Sequence, residues 1–333
     1  MLTNLELLDI ANQKLSIGDL TDNELLEFCR VANERYRNGN PITSDENYDF
    51  IFIPELVKRL PENPFLQQIE NESTGFSEEK IKLPEKMLST DKAYSWEEIN
   101  KWLERITKFS KEINYSFNSI QIKGTAKLDG FAGFDDGVKL YTRGDGKKGS
   151  DISRVFERGL GIFNDSERGQ GPGEIVVKRS YFEKHLSNHF EYPRNFQASL
   201  IKEKELDKFA INAISTKAAL FVPFTQLPQW VGSINEFSDQ FLDIVNLLEG
   251  GVDFDIDGVV FEIVNPELKK HMGSNRKFHR WQIAFKENKE KAQVKVLSIT
   301  AQVGRTGKIT PVAELEPTQL SGCLLYTSDA ADE

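Results

Sequence analysis

The chain has 333 residues, 39% hydrophobic and 28% charged with a net charge of −10, an ordinary globular composition with room for about two or three domains. Its longest uninterrupted apolar run, AALFVPF at 218–224, is far too short to cross a bilayer, and its first residues lack the basic start of a secretory signal. Two cysteines are too few for a disulfide framework or a four-ligand zinc site. Taken together, these features lead us to expect a cytoplasmic protein without a membrane partner.

The negative charge is concentrated at the two ends of the chain. Residues 1–80 carry a net charge of −9 and residues 323–333 carry −3, whereas residues 81–322 carry +2. Nucleic-acid-binding domains are usually basic, so the total charge alone argues against such a partner. The distribution weakens that argument, because the middle of the chain can still present a basic face to phosphates.

Two helices are predicted near the N-terminus. Thr21 or Asp22 is expected to cap the first, DNELLEFCRVANERYRNG, which would end at Gly39. Ser44 is expected to cap the second, SDENYDFIFI, which Pro54 kinks or ends. Three residues of the second helix share one face at positions i, i+3 and i+4: Asp45, Tyr48 and Asp49.

The rest of the chain reads as an α+β protein with antiparallel sheets. Residues 61–90 are rich in Pro, Glu and Ser and predict a linker, and 91–112 predict a helix with Ser95 and Glu98 as a capping box. From about residue 119 the period changes to strands, interrupted by helical segments at 195–220 and 236–249. After Lys286, closely spaced strands with glycine turns predict the opening of a small β-barrel.

The last residues, CLLYTSDAADE at 323–333, match the translation of a transposase adapter used in sequencing libraries. We expect this segment to be an adapter-derived artefact and leave it out of the fold prediction. The natural protein would then continue beyond Gly322, and Cys323 would not belong to it.

A lysine two residues before Asp-Gly is the feature around which the chemistry can be built. The motif AKLDG contains Lys127, but such a motif occurs by chance in on the order of one chain in ten of this size. Its value comes from the motifs that follow it in order. They are TRGDG with Arg143, GEIVV with Glu174, YPRN with Arg194, IDGVV with Asp257 and RWQIAFK with Lys286.

These motifs, together with MLST before them and VGRTGKITPVAELEP after them, resemble the covalent nucleotidyltransferases and, among them, the NAD-dependent DNA ligases. The resemblance runs in unbroken order from about residue 33 to 322. It implies three segments: a helical module that binds nicotinamide mononucleotide (NMN) at 1–72, an antiparallel-sheet nucleotidyltransferase domain of the ligase type (ATP-grasp-like) at 73–290, and an incomplete OB-fold at 291–322. The segment expected to be adapter-derived follows at 323–333.

The resemblance implies a covalent mechanism. Lys127 would attack NAD, release NMN and carry AMP, which then activates the 5′-phosphate of a nick in double-stranded DNA. A lysine attacks phosphorus only as the free amine, and Arg143 and Lys286 are the cations expected to favour that form and to neutralise the phosphate. Glu174 and Asp257 are the expected ligands of Mg²⁺. Further residues are expected to bind the cofactor: Ser89, Thr125, Asp129, Gly130, Arg194 and Glu262.

Each of these residues also has a purely structural interpretation. Lys127 could be a solvated lysine at a strand end, and Arg143 and Lys286 could steer phosphates at the surface or form plain salt bridges. The two carboxylates could belong to turns or strand edges, and Arg194 could be a helix-cap cation.

The N-terminal module favours NAD over ATP. YRNGNPITSDENYDF resembles the module found only in the NAD-dependent branch, where a cationic nicotinamide calls for aromatic rings and nearby carboxylates. Tyr36, Asp45, Tyr48 and Asp49 supply both, although the same residues could simply pack two helices together. The charge of −9 over residues 1–80 suits a cationic cofactor group.

Three positions depart from the family pattern. Thr125 stands where a glutamate usually contacts the base, and Arg35 where a tyrosine is frequent. Glu262 stands where a lysine usually faces the phosphate, and a carboxylate there would repel it by ~1–4 kcal/mol without a compensating cation. Three lysines are candidates for that compensation: Lys269, Lys270 and Lys277.

Two other functions stay open on this evidence from the residues, an ATP-dependent nucleotidyltransferase and a non-catalytic DNA-binding or assembly subunit derived from a ligase. Arg305 and Lys308 in VGRTGK are expected to contact the DNA backbone. A second subunit could supply the C-terminal domains that this chain lacks.

Overall fold

The structure is a computed structural model, and it contains two compact units. The smaller unit comprises Met1–Ala32, Ile42–Glu62 and Asn288–Glu333, and the larger comprises Asn33–Pro41 and Asn63–Glu287. The residues that the structure describes are 2–12, 14–37, 42–44, 47–67, 80–190, 192–202, 205–287, 294–303, 309–320 and 323–329. No helix within these ranges is long and apolar enough to span a bilayer.

The second predicted helix, with Pro54 at its kink or end, was wrong, because residues 48–52 form a π-helical turn and Pro54 lies in the first turn of the following helix. The structure has α-helices near the predicted ones at residues 22 and 96, and also at places where none was predicted. They are Asn4–Ala11, Asp22–Arg37, Ile53–Arg59, Pro64–Gln67, Trp96–Glu112, Arg154–Glu157, Arg179–His185, Pro193–Lys202, Lys208–Ser215, Ile234–Asp239, Phe241–Gly250 and Pro266–Met272. A π-helical turn, Tyr48–Phe52, precedes the third of them.

The strands, numbered in chain order, are β1 (Ile81–Lys82), β2 (Ser89–Ala93), β3 (Gln121–Leu128), β4 (Phe131–Asp135), β5 (Leu140–Thr142), β6 (Lys148–Gly149), β7 (Gly161–Ile162), β8 (Gly171–Val177), β9 (Ala219–Pro223), β10 (Gln229–Ser233), β11 (Ile256–Ile263), β12 (Phe278–Phe285), β13 (Val296–Val303), β14 (Ile309–Leu320) and β15 (Cys323–Asp329). The mixture of helices and predominantly antiparallel sheets confirms the predicted α+β class.

The helices of the smaller unit pack through aromatic and aliphatic side chains. The rings of Phe28 and Phe52 lie 4.4 Å apart, and both side chains are fully buried. Thr21 caps the helix Asp22–Arg37 as predicted, because its hydroxyl accepts from the backbone N–H of Glu24 while the Glu24 carboxylate accepts from Thr21. The predicted stop at Gly39 lies outside the described residues.

The larger unit is built on two five-stranded sheets. One has the strand order β10-β3-β11-β12-β2 and the other β5-β4-β8-β9-β7. Ala126 and Leu128 of β3 pack against Val176 of β8 and Val222 of β9, so the two sheets share a hydrophobic cluster.

Helices cover the rest of each buried sheet surface. The first sheet packs its other buried residues against Trp96–Glu112, Ile234–Asp239 and Phe241–Gly250, and the second packs against Pro193–Lys202 and Lys208–Ser215. The opposite face of β3, which carries Lys127, stays half-exposed.

Several predicted elements were wrong in their bounds. The linker predicted over 61–90 contains the helix Pro64–Gln67 and strand β1, because Ile81 packs onto the apolar cluster of Leu83 and Tyr141. The first residues of the helix predicted over 91–112 form β2 instead. Two strand pairs, β12 with β2 and β7 with β9, are parallel rather than antiparallel.

The C-terminal strands form a three-stranded antiparallel sheet in the order β13-β14-β15. Its last strand, β15, consists of residues from the segment predicted to be adapter-derived, and it pairs with β14. The artificial origin of that segment stays a prediction, which sequencing of the source gene will check.

The aromatic core beneath the first sheet is where we expect the removal of one side chain to lower the stability of the larger unit strongly. Phe261 is fully buried, with the rings of Phe237 and Phe241 at 4.8 and 5.7 Å. Replacing Phe261 with Ala is expected to lower the free energy of unfolding by about 3–5 kcal/mol, because it removes buried area and leaves a cavity. Urea unfolding followed by tryptophan fluorescence measures this effect in the larger unit, since that unit contains all of the tryptophans.

The matched control is Leu242→Ala on the neighbouring helix, where the side chain is 60% exposed. This change is expected to alter the free energy of unfolding by no more than about 0.5 kcal/mol. Equal losses in the two variants would contradict the location of the core.

Candidate active site

A β-bulge brings the most important charged residues together. In the pairing of β11 with β3, Ile256 lies opposite Leu128 and Val259 opposite Ala126, so Asp257 and Gly258 together face Lys127. The extra residue re-aims the strand, so that the side chain of Asp257 lies beside that of Lys127. Such bulges are frequent next to active sites because they place a side chain that a regular ladder would turn away.

Only glycine fits the second position of the bulge. Gly258 has φ +112°, a conformation that residues with a side chain rarely adopt. A Cβ atom at this position would also collide with the carbonyl oxygen of Phe285. The Asp-Gly pair of the IDGVV motif is therefore a requirement of the backbone as well as of the chemistry.

Asp257 bridges two lysines. Lys127 Nζ lies 2.6 Å from Asp257 Oδ2, and Lys286 Nζ lies 2.5 Å from Asp257 Oδ1. Burial alone would raise the pKa of Asp257, but Lys127 and Lys286 outweigh this effect and hold the pKa well below its usual range. The carboxylate therefore stays charged and orients both ammonium groups.

Three predicted residues lie in or beside the second sheet: Gly130 directly precedes β4, Arg143 directly follows β5, and Glu174 belongs to β8. The backbone N–H of Arg143 donates to the carbonyl of Ala132 at 3.2 Å, and Ala132 pairs with Glu174 across the sheet. A Cβ atom on Gly130 would lie 2.5 Å from the carbonyl oxygen of Ile175 and 2.8 Å from the Glu174 side chain. A glycine is needed here because the backbone passes directly over β8.

Asp129 anchors a hydrogen-bond network that reaches the end of the helix Asp22–Arg37. The hydroxyl of Tyr36 donates to Asp129 Oδ1 at 2.8 Å, and Arg194 Nη1 donates to the same oxygen at 3.3 Å. Arg194 also donates to the carbonyls of Gly130 and Tyr36, and its guanidinium lies 4.1 Å from the centre of the Tyr36 ring. Arg194 is buried among these groups, and its contact with the Tyr36 carbonyl in the last turn of the helix Asp22–Arg37 agrees with its alternative interpretation as a helix-cap cation.

Two of the three departures from the family pattern, Thr125 and Glu262, lie on the half-exposed face of β3 and its neighbour β11. Thr125 pairs with Val260 of β11, and Lys123 pairs with Glu262. Lys123 Nζ lies 2.7 Å and Lys269 Nζ 3.2 Å from Glu262 Oε1. Two cations therefore balance the charge of Glu262, the carboxylate that was expected to repel the phosphate.

The remaining predicted residues are distributed over both units. Ser89 donates its backbone N–H to the carbonyl of Lys277 at 3.0 Å, beside the first sheet. Tyr48 and Asp49 belong to the smaller unit, where the Tyr48 hydroxyl donates to the Cys29 carbonyl and Asp49 is buried. Three predicted residues lie outside the described residues: Asp45, Arg305 and Lys308.

Lys123, Gln282 and Gln197 were missed by sequence reasoning. Gln282 donates to Glu262 Oε2 at 3.3 Å, and Gln197 donates to the carbonyl of Asp129 at 3.3 Å. The alternation along β3 puts Lys123 on the face of Lys127 and could have identified it. The two glutamines depend on strand register and helix packing, which leave no local pattern.

The metal prediction has only partial support from the geometry. Within the described ranges, no three His, Cys, Asp or Glu side chains come together as a ready cation site. Both oxygens of Asp257 are already engaged by lysines. Glu174 lies beside Gly130, and Mg²⁺ commonly uses one or two carboxylates plus substrate phosphates. Mg²⁺ binding by Glu174 and Asp257 stays a prediction.

Lys127 of β3 and Lys286, directly after β12, both contact the carboxylate in the bulge of β11, an arrangement that agrees with the covalent nucleotidyltransferases that the motifs resemble. Residues 75–210 match the family model of the NAD-dependent DNA ligase adenylation domain, and residues 293–328 match that of the NAD-dependent DNA ligase OB-fold domain. The chain belongs to the NAD-dependent DNA ligase family.

Curated relatives agree with this assignment. A DNA ligase of Ruthia magnifica subsp. Calyptogena magnifica is 62% identical over 309 residues, which cover 93% of this chain and 50% of the relative. A DNA ligase of Shewanella baltica is 49% identical over 322 residues, covering 97% of this chain and 49% of the relative. The chain thus spans about half the length of the curated relatives it matches.

The charge state of Asp257 should make stability depend on pH. Because its pKa is lower in the folded protein than in the unfolded chain, its contribution is complete above an unfolded-state pKa of about 4 and is lost as the pH falls below it. Asp257→Asn is expected to lower the free energy of unfolding near neutral pH by about 3 kcal/mol, because two clustered ammonium groups lose their partner. It should also flatten the acid-side decline in stability.

Urea unfolding at a series of pH values from about 6 down to about 3 measures both effects. The control is Asp239→Asn, which removes an exposed carboxylate from the same unit. An acid-side slope as steep in Asp257→Asn as in the unchanged protein would show that Asp257 does not carry the shifted pKa.

Proposed function

We propose that this chain transfers AMP from NAD to Lys127 and holds it as lysyl-AMP for delivery to the 5′-phosphate of a nick in double-stranded DNA. The observation that carries the proposal is the contact of Asp257 with both Lys127 and Lys286. Family membership supports NAD as the source of the nucleotide.

In the proposed step, Lys127 Nζ attacks the α-phosphorus of the AMP half of NAD. A nitrogen–phosphorus bond forms, the bond from that phosphorus to the bridging oxygen breaks, and NMN leaves with the electron pair. The proton on Lys127 must be lost, and Asp257 Oδ2 at 2.6 Å is the nearest acceptor. The low pKa of Asp257 makes it a weak acceptor while both lysines contact it.

Binding of the phosphate would relieve this weakness. Lys286 would turn from Asp257 toward the incoming phosphate, which would remove one of the cations that lower the pKa of Asp257. The same movement gives the developing charge on phosphorus a cationic partner, to which Arg143 adds a second. Lys286 would thus couple phosphate binding to activation of the nucleophile.

The NMN half would be held by the N-terminal residues. Tyr36, one of the predicted nicotinamide-binding residues, donates to Asp129 of the AKLDG motif within the larger unit, and this contact supports its role beside the nucleotide. Asp45, Tyr48 and Asp49 of the smaller unit would supply carboxylates and a ring for the cationic nicotinamide. Magnesium bound by the phosphates and Glu174 would supply charge neutralisation, and no step above depends on it.

Sealing of the nick involves parts beyond this site. Arg305 and Lys308 of the OB-fold segment would contact the phosphates of the DNA backbone. A second subunit would add further contacts to the DNA. In this proposal the protein acts on DNA in the cytoplasm and has no membrane partner.

Covalent labelling tests the nucleophile. The full chain is incubated with Mg²⁺ and either adenine-labelled NAD or adenine-labelled ATP, and the protein-bound label is measured after denaturation. Label is expected from NAD only, and Lys127→Ala should reduce it by at least about 1,000-fold because no other group replaces a covalent nucleophile.

Lys270→Ala is the matched control, since it removes an exposed lysine of the same unit. It should retain the label in full. Label from ATP alone would favour an ATP-dependent nucleotidyltransferase, and absence of label from either nucleotide would favour a non-catalytic DNA-binding subunit.

A further inference from the structure

The half-exposed face of β3 has charges at both ends and none between them. Lys127 contacts Asp257 at one end, and Lys123 contacts Glu262 at the other. The two lysines are four residues apart on the same face, which corresponds to about 13 Å along a strand. Between them the pair Thr125 and Val260 forms an uncharged surface.

The uncharged surface of Thr125 and Val260 suits a flat, largely apolar ring that carries a polar group at the edge farthest from Lys127. If phosphorus lies at Lys127, a nucleotide lying along β3 has its base over Thr125 and Val260. The other direction along the chain leads to Asp129 and Arg194, which already form an ion pair. An uncharged ring is better placed over the uncharged pair.

Glu262 is held in a fixed position at the end of this surface that is farthest from Lys127. Its Oε1 accepts from Lys123 and Lys269, and its Oε2 accepts from Gln282 at 3.3 Å. Lys269 is itself positioned over the ring of Trp281, with Nζ 4.4 Å from the ring centre. A carboxylate offers about four acceptor sites, so these three contacts leave capacity on Oε2 for another donor.

We propose that Glu262 accepts a hydrogen bond from the 6-amino group of the adenine base and thereby determines which nucleotide is used. The proposal rests on the proposed function, because it takes Lys127 as the position of the phosphate. Lys123 and Lys269 are positioning residues that aim the carboxylate. The short side chain of Thr125 leaves the space that the base requires between Lys127 and Glu262.

The donor and acceptor pattern of the base makes this proposal specific. Adenine presents an N–H₂ donor at position 6, whereas hypoxanthine presents a carbonyl acceptor at the same place. A carboxylate attracts the first and repels the second. Glutamine at position 262 has nearly the same shape but can donate as well as accept, so it should tolerate both bases.

The experiment compares NAD with nicotinamide hypoxanthine dinucleotide on the full chain. For each, kcat/KM of covalent adduct formation is measured, and the ratio of NAD to the hypoxanthine dinucleotide is the readout. Glu262→Gln is expected to lower this ratio by about 10- to 100-fold, which corresponds to the loss of one hydrogen bond to a charged group. A general loss of activity would leave the ratio unchanged.

Three further variants complete the comparison. Glu267→Gln makes the same change of charge at an exposed position in the helix Pro266–Met272 and should keep the ratio of the unchanged protein. Lys123→Met should lower the ratio, while Lys123→Arg should retain it, because an arginine can still hold the carboxylate. An unchanged ratio in Glu262→Gln, or an equal fall with both dinucleotides, would overturn the proposal.

Equilibrium binding separates this proposal from the proposed function. Calorimetric titration of each dinucleotide onto the protein measures base preference without covalent chemistry. If no adduct forms but NAD binds more tightly than the hypoxanthine dinucleotide and Glu262→Gln abolishes the difference, Glu262 reads the base and the proposed reaction is wrong. If both dinucleotides bind equally to the unchanged protein, the role of Glu262 is overturned whether or not an adduct forms.

Discussion

The contact of one carboxylate with two ammonium groups determines how the rest of the site is arranged. Asp257 can face Lys127 only because β11 contains a bulge, and the bulge can form only because Gly258 has no side chain. Lys286 reaches the same carboxylate from the position directly after β12. The relative register of three strands is therefore tied to one ion cluster, and a shift of any strand by one residue would separate its members.

The hydrophobic packing explains why such a cluster can be held rigidly. Ala126 and Leu128, the neighbours of Lys127 on β3, lie in the core shared with the second sheet. Their burial prevents the strand from rotating, so the side chains on the opposite face have fixed directions. Successive residues of β3 thus alternate between packing in the core and facing the site, so the same strand stabilises the one and positions the other.

The motifs that form the candidate site could be predicted from the sequence because each combines a side chain with a local backbone requirement. Lys127, Asp257 and Lys286 occur in short motifs whose order along the chain is informative, and the structure brings these three together. The cap at Thr21 was predictable for the same reason. Local signals of this kind survive without knowledge of the tertiary structure.

The partners of Glu262 could not be predicted in this way. Sequence reasoning treated Glu262 as a charge facing the phosphate, and its proximity to Lys123 depends on the pairing of two strands that are distant in the chain. The linker predicted over 61–90 was wrong for a related reason, since Ile81 finds its apolar neighbours on other strands. Composition describes a segment alone, whereas these contacts depend on what the fold places beside it.

Peptide mapping tests the central claim most directly. The full chain is incubated with NAD and Mg²⁺, digested, and the peptide that carries the mass of AMP is identified by tandem mass spectrometry. The account predicts that the AMP is bonded to Lys127, and that no other lysine of the chain carries it. AMP on Lys286 or Lys123 with Lys127 unmodified would contradict the assignment of the nucleophile and of the cluster built around it.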